Sequence, residues 1–304
     1  MCLGSHSGTL PLPSWSERND EIAGIARRQL FFIGGAPRSG TTWLQQMLDC
    51  HPDVSCKGEG LFLNHFATPL EKLVAERRKV LQGKNTGLFR HTGGYPLPAA
   101  DDTEFLIGSA ILAGLRQQCA GKPYLAVGEK TPENVFLFER LQRLFPDARF
   151  IAIARDPRDA IASAWHFFHK PRPGEDAAAA KTAFIRNALP SMNAGAKAML
   201  AFRDKHPAAT QIVTYEALRR APSPVLASLF RLLGVSERAE IIGTCLARTA
   251  FVAQTGGRHL GVEQNGAFFR KGVVGDWPAT LTPEMDAMVR DELGWMFPLF
   301  GWQA

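Results

Sequence analysis

The residues best placed to grip an anion run from 35 to 42, Gly-Ala-Pro-Arg-Ser-Gly-Thr-Thr. Glycines and hydroxyl residues packed this closely let a backbone turn point several N–H groups at one phosphate-sized group. The pattern departs from the phosphate loop of nucleoside triphosphate enzymes at one position, where Thr41 replaces the usual Lys. The cation stands instead inside the loop, at Arg38. Without that Lys the loop still cradles an anion but lacks the residue that reaches the outer phosphates of ATP. An ordinary turn capped by Ser39 or Thr41 is the plainer reading.

A second cluster is Arg155-Asp-Pro-Arg-Asp159 followed by Ser163. If a helix begins after Pro157, Arg155 and the Ser163 hydroxyl converge as a second oxyanion site. Alternatively, an Arg here pairs with Asp156 or Asp159 at the helix start. Carboxylates and amines able to move a proton or bear charge follow two other turns: Glu59 after Lys57-Gly58, and Glu129-Lys130 after an apolar run.

The elements around these clusters explain why they matter. Leu30–Ile33, Val54–Cys56, Tyr124–Val127, Phe150–Ala154 and Gln211–Val213 read as short strands, and most are apolar throughout. Such runs suit a parallel sheet buried on both faces. Helical patterns at 43–49, 61–82, 104–119, 132–145, 181–203 and 222–234 alternate with them, and the 61–82 helix is expected to cover the sheet. Thr282 opens a final helix with Glu284 and Asp286 in its first turn. Residues 1–18 are expected to form a loose arm, with a helix from Asn19 or Asp20 into Arg28. The domain proper then runs from 29 to 304. In this layout both anion loops and Glu59 follow strands, at the sheet edge where open α/β folds bind ligands.

Composition sets the remaining bounds. The 304 residues, 45% hydrophobic and 21% charged, suit one sizeable α/β domain. A net charge of +6 favours an anionic ligand. Dense basic runs are lacking, which disfavours nucleic acid. Five scattered cysteines (Cys2, Cys50, Cys56, Cys119 and Cys245) show no metal-binding spacing and point to reduced thiols in a cytoplasm. No stretch of the sequence has the length and apolarity of a membrane span.

Taken together, Pro37-Arg-Ser-Gly-Thr-Thr-Trp43 after one strand and Arg155-Asp-Pro-Arg-Asp…Ser163 after another resemble the sulfotransferases. The resemblance extends to Ser163-Ala-Trp-His-Phe-Phe-His169, Thr214-Tyr-Glu216, Thr249-Ala-Phe251 and Arg270-Lys-Gly-Val-Val-Gly-Asp-Trp277, in the family's order. It implies a single α/β domain of the phosphate-loop type, a mostly parallel central sheet flanked by helices. It also implies a donor, 3′-phosphoadenosine-5′-phosphosulfate (PAPS), leaving adenosine 3′,5′-bisphosphate (PAP), and no metal. On this likeness the backbone of residues 38–42 (Arg38, Ser39, Gly40, Thr41, Thr42) would hold the 5′-phosphosulfate. Arg155, Ser163, Arg270, Lys271 and Gly272 would hold the 3′-phosphate. Trp43 and Phe251 would stack on the adenine, with Tyr215 bonded to it. Arg38 and Lys130 would stabilise charge at the leaving oxygen.

One feature differs from the cytosolic members: Pro132 stands where they carry the His that takes the acceptor's proton. The Glu-Lys-Thr-Pro run at 129–132 resembles the Golgi and bacterial branch, which implies Glu59 as the base, with His166 and His65 as rivals. A small acceptor is expected, a lipid-like, phenolic or natural-product alcohol, walled by Phe62, Phe66, Phe89, Phe105, Trp165, Phe167 and Phe168. A non-catalytic binder of the same nucleotide and a nucleotide kinase are the competing functions. Residues 170–180 read as a lid, and 254–268 as a loop that orders on donor binding.

Overall fold

The computed structural model describes residues 13–264 and 266–303, so most of the expected N-terminal arm, with Cys2, lies outside it. The strands are β1 (Gln29–Gly35), β2 (Val54–Lys57), β3 (Ala126–Lys130), β4 (Arg149–Ala154) and β5 (Thr210–Thr214). They form one sheet in the order β2-β3-β1-β4-β5, with every pair parallel. The α-helices are α1 (Trp15–Ala26), α2 (Thr41–Asp49), α3 (Thr68–Thr86), α4 (Ala100–Cys119), α5 (Phe138–Leu144) and α6 (Pro157–Phe168), then α7 (Ala177–Lys205), α8 (Tyr215–Arg220), α9 (Pro222–Leu232), α10 (Ala239–Arg248), the single turn α11 (Phe251–Gln254), α12 (Pro283–Leu293) and α13 (Met296–Phe300).

Strand alternation splits the core into two layers. Leu30, Phe32, Val127, Phe150 and Ala152 pack one way, against α4, α5, α7 and α12. Phe31, Ile33, Ile151, Ile153 and Val213 pack the other way, against α2, α9 and α10. Both faces are covered, which is why the strands read as continuous apolar runs. After β1 the chain turns toward β2, and after β4 it turns toward β5. Their two loops therefore part over a crevice at the carboxyl edge, the place such sheets bind ligands.

Several elements differ from the sequence reading. Helix α1 starts at Trp15, because Ser14 and Glu17 form a reciprocal capping box ahead of the expected start. The 61–82 segment is a π-turn (Phe62–Ala67) followed by α3, and α3 buries none of its residues. It lies against α4, and α4, with Ile107, Ile111 and Leu115 buried, covers the sheet instead. Strand β3 begins and ends later than the apolar letters suggest. Glu129 and Lys130 pair in register with Phe32 and Ile33, so the ladder draws two charged residues into the core. Pro132 opens only a short 3₁₀ turn to Phe136, separate from α5.

Phe150 is fully buried and touches Phe32, Phe138 and Phe202 with centroids 6.0, 5.0 and 4.7 Å away. Phe150→Ala is expected to cost about 3–5 kcal/mol of stability, read from the midpoint of a denaturant titration at unchanged slope.

Candidate functional site

The loop between β1 and α2 is built to leave donors free. Gly40 caps α2 with φ +101°, and no side chain caps the helix start. A β-carbon at Gly40 would come within 2.7 Å of the Tyr215 ring, so this turn needs glycine on both counts. The first N–H groups of an uncapped helix, with the positive end of its dipole, then face the crevice. Arg38, in the same turn, adopts φ +67°, unusual for a side-chain-bearing residue.

The crevice is a cavity of about 400 Å³ at the carboxyl ends of β1, β4 and β5. Its walls include Arg38, Gly40, Thr41, Thr42, Trp43, Glu59, Arg155, Ser163, Tyr215, Phe251, Arg270, Lys271 and Gly272, nearly all of the expected set. The Arg38 guanidinium lies 4.2 Å from the Phe167 ring centroid and 4.8 Å from that of Phe268. It also reaches the Ser163 hydroxyl at 3.4 Å and donates to the Phe268 carbonyl. Burial, and then the nearby charges of Arg155 and Arg270, lower its pKa to about 10.

Arg155 ties the 35–42 loop to the 270–277 segment. It donates to the Arg38 carbonyl and to the Val273 carbonyl, both at 3.2 Å, and stacks 4.3 Å over Tyr215. The two arginines of the Arg-Asp-Pro-Arg-Asp cluster point different ways. Arg155 faces the cavity and lies 3.8 Å from Asp159, while Arg158 turns away to pair with Asp156 at 2.7 Å. Asp159 also accepts the Gly275 and Trp277 N–H groups at 2.7 and 3.0 Å, mooring the 270–277 segment on α6. In that segment Arg270 and Lys271 each bridge Glu263 and Asp276, at 2.5–3.1 Å. Gly272 (φ +69°) lies against Phe251, where a β-carbon would sit 2.6 Å from the ring.

On the opposite wall, Lys130 Nζ donates to Thr42 Oγ1 at 3.0 Å and to Glu59 at 2.5 Å. Lys130 is 2% exposed, and the Glu59 side chain is 42% exposed. Glu59 thus keeps much of its side chain in solvent while its ion-pair partner is buried. His166 bonds Thr280 at 3.1 Å and does not line the cavity; burial, then the Arg270 charge, pushes it toward neutral imidazole. His65 is exposed on the π-turn.

Other expected residues fall elsewhere. The Ser39 hydroxyl is buried toward Gly35, and its N–H is used within the turn on the Ala36 carbonyl. Among the expected acceptor walls, only Phe167 and Phe168 line the cavity. Phe62 packs beside Gly60 and Gly114, Trp165 stacks on His169, and Phe66, Phe89 and Phe105 are exposed. Unforeseen walls are Glu133, Arg219, Gln254, Phe268 and Phe269. Arg219 could have been found, since it follows Tyr215 by one helical turn and so shares its face. Its guanidinium lies 5.2 Å from the Trp43 ring. Among the described residues no cluster of His, Cys, Asp or Glu could hold a metal. None of the helices is long and apolar enough to cross a membrane.

The profile of the Sulfotransferase family matches residues 31–239, more than half of the chain. The protein-tyrosine sulfotransferase of Drosophila melanogaster is 32% identical over 136 residues, 44% of this chain and 24% of that protein. Human protein-tyrosine sulfotransferase 1 is 29% identical over 136 residues, 44% of this chain and 33% of that protein. The chain thus matches a third or less of either relative's length. Among solved structures, sulfotransferase STF9 from Mycobacterium avium superposes with a TM-score of 0.57 at 16% identity, covering 95% of this chain and 81% of that one. Mouse sulfotransferase SULT7A1, complexed with PAP, gives 0.52 at 15% identity over 92% and 88%. At these identities the likeness shows the fold.

Arg38 supplies a test of the site's electrostatics. Burial and the neighbouring charges of Arg155 and Arg270 oppose its charged form, and a bound anion offsets that opposition. Added sulfate should therefore raise the melting temperature of the wild type more than that of Arg38→Ala. Equal shifts would mean that Arg38 does not meet the anion.

Proposed function

We propose, from the premise that this chain belongs to the sulfotransferase family, that it transfers a sulfuryl group from PAPS to the hydroxyl of an aromatic acceptor. One observation carries the donor assignment: an uncapped helix start and three cations, Arg155, Arg270 and Lys271, line the same cavity as Trp43 and Phe251. Two anion grips with flat aromatic surfaces in the same cavity fit a nucleotide charged at both ends. The α2 N–H groups, Thr41, Thr42 and Arg38 would hold the 5′ end. Arg155, Ser163, Arg270 and Lys271 would hold the 3′-phosphate.

When bound, the donor supplies the sulfuryl group and a phosphate leaving group. The chain's part is charge placement. Arg38 faces the cavity from a fixed loop, so its charge is already in place where negative charge develops. Lys130 reaches the same cradle through Thr42. Glu59, in contact with Lys130, is the carboxylate nearest to hand for the acceptor's proton, and an anion arriving beside Thr42 gives Lys130 a second partner in place of Glu59. Phe167, Phe168, Phe268 and Phe269 line the cavity and suit an aromatic acceptor. Two relatives are named for a tyrosine acceptor, and tyrosine is a phenol.

Calorimetric titration with PAP in the absence of Mg²⁺ should show binding, whereas stabilisation only by ATP with Mg²⁺ would support the kinase alternative. With radiolabelled PAPS and a naphthol, Arg38→Ala should lower the transfer rate by about 10²-fold or more. Binding of PAP without transfer to any phenol or alcohol tried would leave a nucleotide binder rather than an enzyme. Glu263 offers a finer check: a 3′-phosphate must displace it from Arg270 and Lys271, so Glu263→Gln should tighten PAP binding several-fold. Weaker binding would mean that Glu263 holds those cations in place instead.

A further inference from the structure

Glu129 is a carboxylate only 4% exposed, at the end of β3, and the transfer reading gives it no role. Its contacts are specific. Oε1 accepts the Gly60 N–H at 2.8 Å and the Thr131 hydroxyl, and Oε2 accepts Asn134 Nδ2 at 2.8 Å. Its neighbours grip the same turn: Lys130 takes Glu59 at 2.5 Å, and the Thr131 hydroxyl accepts the Leu61 N–H at 3.4 Å. Three consecutive residues of the β3 end thus hold three consecutive residues, Glu59, Gly60 and Leu61, one to one. Leu61 sits at φ +51°, a conformation that this grip must maintain. Asn134 also donates to the Ile33 carbonyl at 3.1 Å, which links the clamp to β1 two residues before the anion loop.

We propose that Glu129 is a positioning residue whose carboxylate fixes the Gly60 turn so that Glu59 faces Lys130 and Thr42. The proposal rests on the transfer reading given above. Each of its three contacts needs an acceptor. The Ile33 carbonyl fixes which end of Asn134 faces Glu129, so an amide at 129 would set an N–H against either Asn134 Nδ2 or the Gly60 N–H. Burial pushes the Glu129 pKa up, while the hydrogen bonds from Thr131, Asn134 and Gly60, and the Lys130 charge, oppose that rise. These contacts favour the ionised acceptor form that the clamp requires.

The test is a double-mutant cycle with radiolabelled PAPS and a naphthol acceptor, alongside PAP calorimetry. Glu129→Gln should lower kcat by about 10–100-fold, the scale of a displaced catalytic group, with PAP affinity changed less than about twofold. In a Glu59→Gln background the same change should cost less than about threefold, because the turn then carries no base to misplace. Thr131→Val, which removes one clamp hydroxyl at little change of volume, should show the same dependence on Glu59 with a smaller effect. It also serves if Glu129→Gln does not fold. Effects at 129 and 131 that multiply with that of Glu59→Gln, or a loss of PAP affinity equal to the loss of rate, would overturn the proposal. A wild type that binds PAP but transfers nothing would instead remove the transfer reading, and the wild-type rate tells the two failures apart.

Discussion

The site depends on holding like charges together. Arg38, Arg155, Arg270 and Lys271 all line one cavity of about 400 Å³, and each disfavours the others. Three of them have carboxylates within reach: Asp159 beside Arg155, and Glu263 and Asp276 beside Arg270 and Lys271. Glu263 and Asp276 respond as paired groups should. Burial alone would raise Glu263 and Asp276, but the hydrogen bonds from Arg270 and Lys271 outweigh it and leave both below their ordinary values. Arg38 has two aromatic rings, a hydroxyl and a carbonyl where the others have carboxylates. Burial, with the nearby charges of Arg155 and Arg270, lowers its pKa.

The parallel sheet makes that crowding possible. Gly35, Lys130, Ala154 and Thr214 end their strands at one edge, where Lys130 pairs with Ile33, Gly35 with Ile153 and Ala154 with Thr214. The loops that leave β1 and β4 part in opposite directions, so neither fills the space between them. Arg155 closes the gap by bonding to carbonyls on both anion-binding segments, at Arg38 and at Val273. Asp159, one turn further along α6, holds the second segment by its backbone. Arg155 and Asp159, the first and fifth residues after β4, therefore hold the 35–42 loop and the 270–277 segment at a set separation.

What was legible in the sequence follows from how local each feature is. The loop at 35–42 and the cluster at 155–163 are contiguous, and their strand-loop-helix setting is written in adjacent residues, so both fell at the cavity as expected. Apolar runs likewise marked β1 and β4. The misreadings arose where a distant partner decides. Glu129 and Lys130 look like turn residues, yet pairing with Phe32 and Ile33 makes them strand. Ser39 looks like a ligand, but the close approach of Gly35 turns its hydroxyl inward. The aromatic letters between 62 and 105 suggested acceptor walls, yet none of Phe62, Phe66, Phe89 and Phe105 lines the cavity. Glu263 gave no local signal at all, since its partners lie across a loop.

The same distant contacts show why the cavity can hold its cations without a ligand. An ammonium or guanidinium buried alone would lose its hydration and gain nothing in return, a cost of several kcal/mol. Lys130 avoids that through Glu59, and Arg270 and Lys271 through Glu263. A phosphate or sulfate entering the cavity then exchanges one anionic partner for another instead of stripping water from a bare charge, so cation desolvation is largely met before binding. The two displaced groups differ in what they do next. Glu263 sits on the loop at 256–269, so its release frees that loop from the two cations. Glu59 is held by its backbone neighbour, since the Gly60 N–H stays on Glu129 whatever the side chain does. On the function proposed above, a carboxylate that gives up its ammonium while its main chain is pinned would stay beside the anion, where the transfer requires a proton acceptor.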